Sequence, residues 1–446
     1  MERTMKKSLV IVGVVVAVLY PITAWLMGYA IERRIDEFQQ QLNDQNPYVK
    51  VSGVSFHRGW FTSDQELTLE PARLPFATES LRVTVHNTIH HGPICGLACI
   101  GLARVESHLV FNEELQAHVA AIFGGAEPLS ISSRLGLFGG GSAHVSSPAF
   151  KDAVISGATL ASDGIVADNH YTGNLDTYST QASAPHLSYA GKDGKRFEVS
   201  NVAVDVHSKR ALRTLYAGDS SFSIGRIMYG NTAGPGVFTA ADVRVNSHAE
   251  VAAGFMQADG KYNLGVVQAG PVTLTSTKMD ISFRHLDADS LERLSAQLRE
   301  VNRDVTIAPQ ERSAAMLGAI KAPMMSLLEK QPEIGIDQIV IATAAGSSAI
   351  SGSIKFKQLV AADFDGDAGA KALIKKVDVD LDVSIDDAFL NSLPGGQSST
   401  ARLQPLVSQG LATHDNGKFH TIVGFHDGQT TFNGKPFGPA AADKKP

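Results

Sequence analysis

Residues 9–27 read LVIVGVVVAVLYPITAWLM and contain no charged side chain. As a helix rising 1.5 Å per residue, this run extends about 28 Å, close to the ~30 Å hydrocarbon layer of a bilayer. A helix packed on a soluble core needs only an apolar stripe. A cleavable export signal has a shorter apolar region, about 7–15 residues, before a small-x-small site. Gly28-Tyr29-Ala30 has the sizes of such a site, so cleavage is the alternative, and the apolar length argues against it. Tyr20, Trp25 and Tyr29 gather toward the C-terminal end, where amphipathic rings favour a membrane interface. The run therefore predicts a transmembrane anchor over residues 9–28, a cytoplasmic tail at 1–8 and a β-rich domain at 29–446. Arg3, Lys6 and Lys7 precede the run, and Arg33 and Arg34 follow it. The basic bias and the short tail place the tail inside. The expected localisation is a bacterial inner membrane, single-pass, with the large C-terminal domain in the periplasm.

Beyond the run the rhythm changes to two. Residues 375–386, KKVDVDLDVSID, put Val377, Val379, Leu381, Val383 and Ile385 on one face and Asp378, Asp380, Asp382, Ser384 and Asp386 on the other. One dry and one wet face mark an antiparallel strand with a solvated side. The same alternation recurs in residues 49–56, 64–71, 79–87, 128–138, 196–208 and 236–251. Asp-Gly or Asn-Gly steps in AGKDGKR, HDNGKFH and HDGQT supply tight hairpins, because these residues tolerate positive φ. The fold class expected is mainly β with helices (α+β): an N-terminal transmembrane helix followed by a large, curved antiparallel β-sheet body. Helical spacing appears in residues 31–42, directly after the anchor. It returns in residues 287–304, where Ser290 is the candidate cap, and in 310–332, where Pro323 should kink or divide the helix.

Chemistry is sparse. A net charge of -6, from 39 basic and 45 acidic residues, leaves no basic footprint for nucleic acid. His86, His90 and His91 sit in VHNTIHHGP, but strand followed by turn does not give the helical spacing a metal site would use. Surface or turn histidines are the simpler reading. DFDGD, residues 363–367, lacks the register of a calcium loop and reads as a solvated acidic loop. GLFGGGSAH, residues 136–144, lacks a phosphate-loop lysine and reads as a hairpin tip. Neither G-x-S-x-G nor H-E-x-x-H occurs. No catalytic, cofactor or metal residue is assigned.

Residues 56–71, FHRGWFTSDQELTLEP, and 86–93, HNTIHHGP, resemble the Y-x-R-G-x-F-x-S and H-G-P elements of the YdgA-like family, bacterial envelope proteins of unknown function. The resemblance continues collinearly through residues 130–141, 155–163, 197–206 and 406–437. It implies an inner-membrane anchor, a periplasmic β-rich body and no established reaction, so it brings no catalytic residues. The motif residues are Arg58, Gly59, Phe61, His91, Gly92 and Pro93. Arg58-Gly59 reads as a turn between helix and first strand, Trp60 and Phe61 as core anchors, and Gly92-Pro93 as the sharp end of a strand.

The function expected is a non-enzymatic binding or scaffolding role in the cell envelope, without cofactors. The alternative is a lipid or hydrophobic-ligand carrier using an apolar groove of the sheet, and an envelope hydrolase ranks third. Expected partners are the inner membrane and envelope proteins or lipid, with a homodimer as a further possibility and nucleic acid excluded.

The only two cysteines, Cys95 and Cys99, lie outside the family pattern. In an oxidising compartment they suit a local disulfide; two buried thiols are the alternative. So short a loop gains at most about 2–3 kcal/mol from closure. Alkylation of unreduced protein should leave both sulfurs unlabelled, and full labelling of both would reject the bond.

Overall fold

Alternating strands cannot bury one face alone, and here they pair edge to edge with their neighbours in the chain. The computed structural model describes residues 20–33, 35, 39–40, 43, 49–71, 82–95, 100–155, 157–231, 236–304, 307, 309–357, 359–360, 363, 372, 374–394 and 396–437. They fall into two compact units.

The first unit comprises residues 1–156, 161–183 and 296–318. Its strands β1 (Val49–Arg58), β2 (Thr62–Pro71), β3 (Val83–His91), β4 (Ala103–Val110), β5 (Ser130–Leu135) and β6 (Gly141–Ser147) form an antiparallel meander. After β7 (Phe150–Ile155) and β8 (Ala158–Ser162), β9 (Ile165–Tyr171) pairs back onto β6, and the first half of β10 (Thr177–Ala190) pairs with β9. Every second residue of β3 is buried, from Val83 to His91. A helix, Glu113–Phe123, joins β4 to β5. The Asn112 side chain caps it by accepting from the Leu115 N–H at 2.8 Å, and left-handed Gly124 closes it.

The second unit comprises residues 157–160, 184–295 and 319–446. Its strands are β11 (Lys195–Arg210), β12 (Tyr216–Asn231), β13 (Phe238–Ala252), β14 (Phe255–Leu264), the short β15 (Val267–Ala269) and β16 (Val272–Leu274), and β17 (Ser276–Asp287). They continue with β18 (Glu333–Ala342), β19 (Ser347–Phe356), β20 (Val377–Asp386), β21 (Thr413–Asp415), β22 (Lys418–His426), β23 (Gln429–Phe432) and β24 (Lys435–Phe437). Hydrogen bonds run β11–β12–β13–β14–β17–β18–β19–β20–β22–β23–β24, all antiparallel. The predicted turns form as read: Asn416 and Gly417, like Asp427 and Gly428, all have positive φ.

The helices Ala288–Arg303 and Pro309–Glu329 match the helical spacing, with two corrections. The cap is Asp287, whose carboxylate accepts from the Ser290 N–H at 2.9 Å and from its hydroxyl at 2.6 Å. Pro323 lies inside one continuous helix and does not divide it.

The expected transmembrane helix is overturned. No helix among the described residues is long and apolar enough to cross a membrane, so the single-pass inner-membrane placement loses its support as well. Residues 1–19 lie outside the described residues. Residues 20–32 are helical, and this end of the expected span is engaged with protein. Ala24 is fully buried, Tyr20 stacks on Phe61 at 5.8 Å, and the Arg58 guanidinium lies over the Trp25 and Tyr29 rings. Ala24 therefore faces protein, while Ile22, Trp25, Leu26 and Tyr29 of the same helix keep exposed surface.

Glycine is obligatory where β3 ends. A Cβ on Gly92 would lie 1.8 Å from the Gly101 carbonyl oxygen, whereas one on helical Gly318 meets nothing within 4 Å. Gly92→Ala should therefore destabilise the unit by about 1–3 kcal/mol, and Gly318→Ala should stabilise it by about 0.5–1 kcal/mol. Thermal unfolding of both variants checks the opposite signs.

Candidate functional site

The six family-motif residues converge at one end of the first unit's sheet. Gly59 forms the tight turn between β1 and β2, its N–H donating to the Thr62 carbonyl at 2.8 Å. The turn thus links two strands, not helix to strand as the sequence suggested. Arg58 reaches back to the 20–32 helix and pairs with Glu32 at 3.2 Å. The Phe61 carbonyl accepts from the His91 N–H at 2.8 Å. The Gly92 N–H donates to Leu102 at 2.8 Å, and the Gly92-Pro93 bond is cis. Trp60 and Phe61 are not core anchors: 62% and 46% of their surfaces are exposed.

His91 is the hub. It is 2% exposed, and beside it Ser63 is 0% exposed. The ring Nδ1 lies 3.3 Å from the Trp60 carbonyl, which can only accept, so Nδ1 carries the proton. Nε2, 2.7 Å from the Ser63 hydroxyl, then accepts from it. Gly28 of the helix lies so close that a Cβ there would sit 2.3 Å from His91 Cε1. A serine hydrogen-bonded to a histidine suggests a nucleophile, but here both are sealed from solvent and the other ring nitrogen faces a carbonyl rather than a carboxylate. This arrangement seats the helix on the sheet.

Other sequence candidates are dispersed. Among the described residues no group of three histidine, cysteine or acidic side chains is placed to hold a metal. His90 lies 3.8 Å from Glu106. Asp363 is buried, accepts from the Val360 N–H at 2.7 Å and pairs with Lys376 at 2.6 Å. The Lys376 ammonium, followed by that backbone bond, holds its carboxyl below the usual range. The remainder of that acidic loop, residues 364–367, lies outside the described residues. Cys95 is fully buried and is not a free thiol, while Cys99 lies outside the described residues. The glycine-rich stretch forms the β5–β6 turn.

The second unit offers two contrasting faces. Val204, Phe222, Val245, Tyr262, Met279, Ile339, Ile350 and Val383 stand directly opposite one another, strand after strand, from β11 to β20. Directly opposed residues share a face, so they form one apolar stripe. None of the eight is fully buried, and Phe222 keeps 37% of its surface exposed. Seven interstrand steps of about 4.8 Å make the stripe roughly 34 Å long. Sequence reasoning found the alternation but not the register that aligns it, since pairing partners leave no local signal.

On the opposite face His207, Asp219, His248 and Asp259 form a polar row in the same way. They border a shallow hollow of about 390 Å³ with Asp205 and Lys261. The acidic strand β20 is likewise partnered. His420 meets Asp382 at 2.9 Å, and the two ring nitrogens of His426 meet Asp378 at 3.3 Å and Asp380 at 2.9 Å.

Two histidines should respond to pH with opposite sign. Burial holds the His91 imidazole below its ordinary value of 6.5; the Trp60 and Ala24 carbonyls oppose this, and Arg58 adds to it. The unfolded chain then takes up the proton first, so the stabilising contribution is complete above 6.5 and is lost as pH falls through the folded value. His91→Gln should cost about 1–3 kcal/mol at neutral pH, and its deficit should narrow as pH falls from 7 toward 5 (chemical denaturation at each pH checks this). The Asp219 carboxylate, 2.8 Å away, raises the value of His248 above 6.5. That contribution is present below 6.5 and is lost as pH rises through the folded value. A proton NMR titration of His248 should have its midpoint above 6.5 and move back toward it in Asp219→Asn.

Neither a curated protein nor a solved structure matches the chain. A family model, described as a bacterial protein of unknown function, matches residues 5–440. With nearly the whole chain covered, the protein belongs to this family, DUF945.

Proposed function

We propose that this protein acts by binding rather than by catalysis, and that its ligand is apolar and elongated, such as the acyl chain of a lipid. The observation that carries this reading is the stripe from Val204 to Val383. Eight strands are held in one register with apolar side chains opposed, yet each member stays partly open. Contiguous exposed apolar surface is unusual in a protein that offers it to nothing. A contour of roughly 34 Å exceeds the ~15 Å depth of one bilayer leaflet, so an extended acyl chain fits along it. The YdgA-like resemblance is consistent with the family and adds no reaction to this reading. Catalysis finds little support, because the Ser63–His91 pair of the motif is sealed from solvent.

Burial of each methylene contributes about 0.8 kcal/mol, so a long chain gains affinity without a specific polar anchor. Purified full-length protein should retain lipid detectable by mass spectrometry. Ile339→Glu and Ile350→Glu, at half-open positions, should abolish that retention while the far-ultraviolet circular dichroism stays unchanged. Absence of lipid from the parent protein, or equal retention in both variants, contradicts the reading. In the first case the stripe would be left to a protein partner, which is the scaffolding role.

A further inference from the structure

Isolated exposed apolar side chains are ordinary on a protein surface, whereas convergence of several at one place is not. In the first unit such residues gather where the motif lies. β1, β3 and β5 all end there, and their turns present Trp60 and Phe61, Ile94 and Ile100, and Leu137 and Phe138. Phe138 is 97% exposed and Ile100 86%. Among the described residues, the aromatic side chains that β1–β6 and their turns leave exposed all stand at this end. We propose that these three turn tips dock on the surface of a lipid bilayer, inserting their side chains among the headgroups and upper acyl carbons.

Three observations select a bilayer over a protein partner. The tips belong to separate turns, and a fluid interface accepts separate protrusions without needing a complementary packed surface. Arg134 is exposed and borders a hollow of about 450 Å³ together with Ile100, Leu137 and Phe138. Among the described residues it has no ion-pair partner, so it stands ready for a headgroup phosphate. Tyr20 braces two of the tips, donating its hydroxyl to the Ile94 carbonyl at 2.9 Å and stacking on Phe61. Trp60 suits the position, since indole rings favour the headgroup level. This docking concerns the first unit and does not depend on ligand binding along the stripe.

The chain contains two tryptophans, Trp25 and Trp60, so Trp25→Phe leaves Trp60 as the reporter. The full-length variant is reconstituted with vesicles of phosphatidylcholine and phosphatidylglycerol whose acyl chains are brominated. Trp60 emission should shift to the blue and be quenched, and its quenching by aqueous acrylamide should fall. Adding Ile100→Asp and Phe138→Asp should remove most of the bromine quenching while the far-ultraviolet circular dichroism stays unchanged. Omitting phosphatidylglycerol should weaken quenching in the parent and have less effect in Arg134→Gln. Trp60 that stays open to acrylamide and unquenched by bromine, in protein bound to the vesicles, overturns the proposal. So does a blue shift that grows with protein concentration without lipid, which would assign the tips to a second copy of the chain.

Discussion

A strand sets its apolar side chains against its neighbour's only when the two are in register, and a slip of one residue sends all of them to the wet face. In the second unit this condition holds across eight strands, through irregularities at Met256/Ala258, Asp280/Ile281 and Ile336/Ile339. The last two matter most. Without an extra residue near Asp337, Ile334 and Ile336 would share a face that Ile339 and Ile341 leave. With it, all four isoleucines stand toward the stripe side, opposite Ile354, Gly352, Ile350 and Ser348. Register thus creates both the apolar stripe and, on the reverse, the rows in which histidines meet carboxylates.

These charged rows are local and shallow. Exposed ion pairs contribute little to stability individually, and the pairs at His248, His420 and His426 are exposed. Their consequence is chemical: the carboxylates of β20 are engaged across the strand by His420, His426, Lys357 and Lys418. The wet face of the acidic strand, read from its alternation, is therefore also a partnered surface. Burial holds Asp378 up, but Lys357 and His426 outweigh it and keep its carboxyl below the usual range.

What the sequence made legible follows physical range. β20 and the hairpins at Asn416-Gly417 and Asp427-Gly428 could be read because period and turn chemistry are local. The motif end could not. Phe61 was expected inside because it is large and apolar, yet its ring forms a lid over Tyr20, forty-odd residues earlier in the chain. The apolar run misled for the same reason, since Ala24 and Gly28 look equally suited to lipid and to a histidine seated beneath them. Asp287 was overlooked as the helix cap because it also ends β17.

The stripe remains the central claim, and the most direct measurement is photo-crosslinking with a diazirine-bearing fatty acid, mapped by peptide mass spectrometry. The account predicts adducts on the stripe side of β17–β20, around Met279, Ile339, Ile350 and Val383, displaced by unlabelled fatty acid. Adducts confined to the His207–Asp259 face, or labelling that unlabelled fatty acid does not displace, would contradict it.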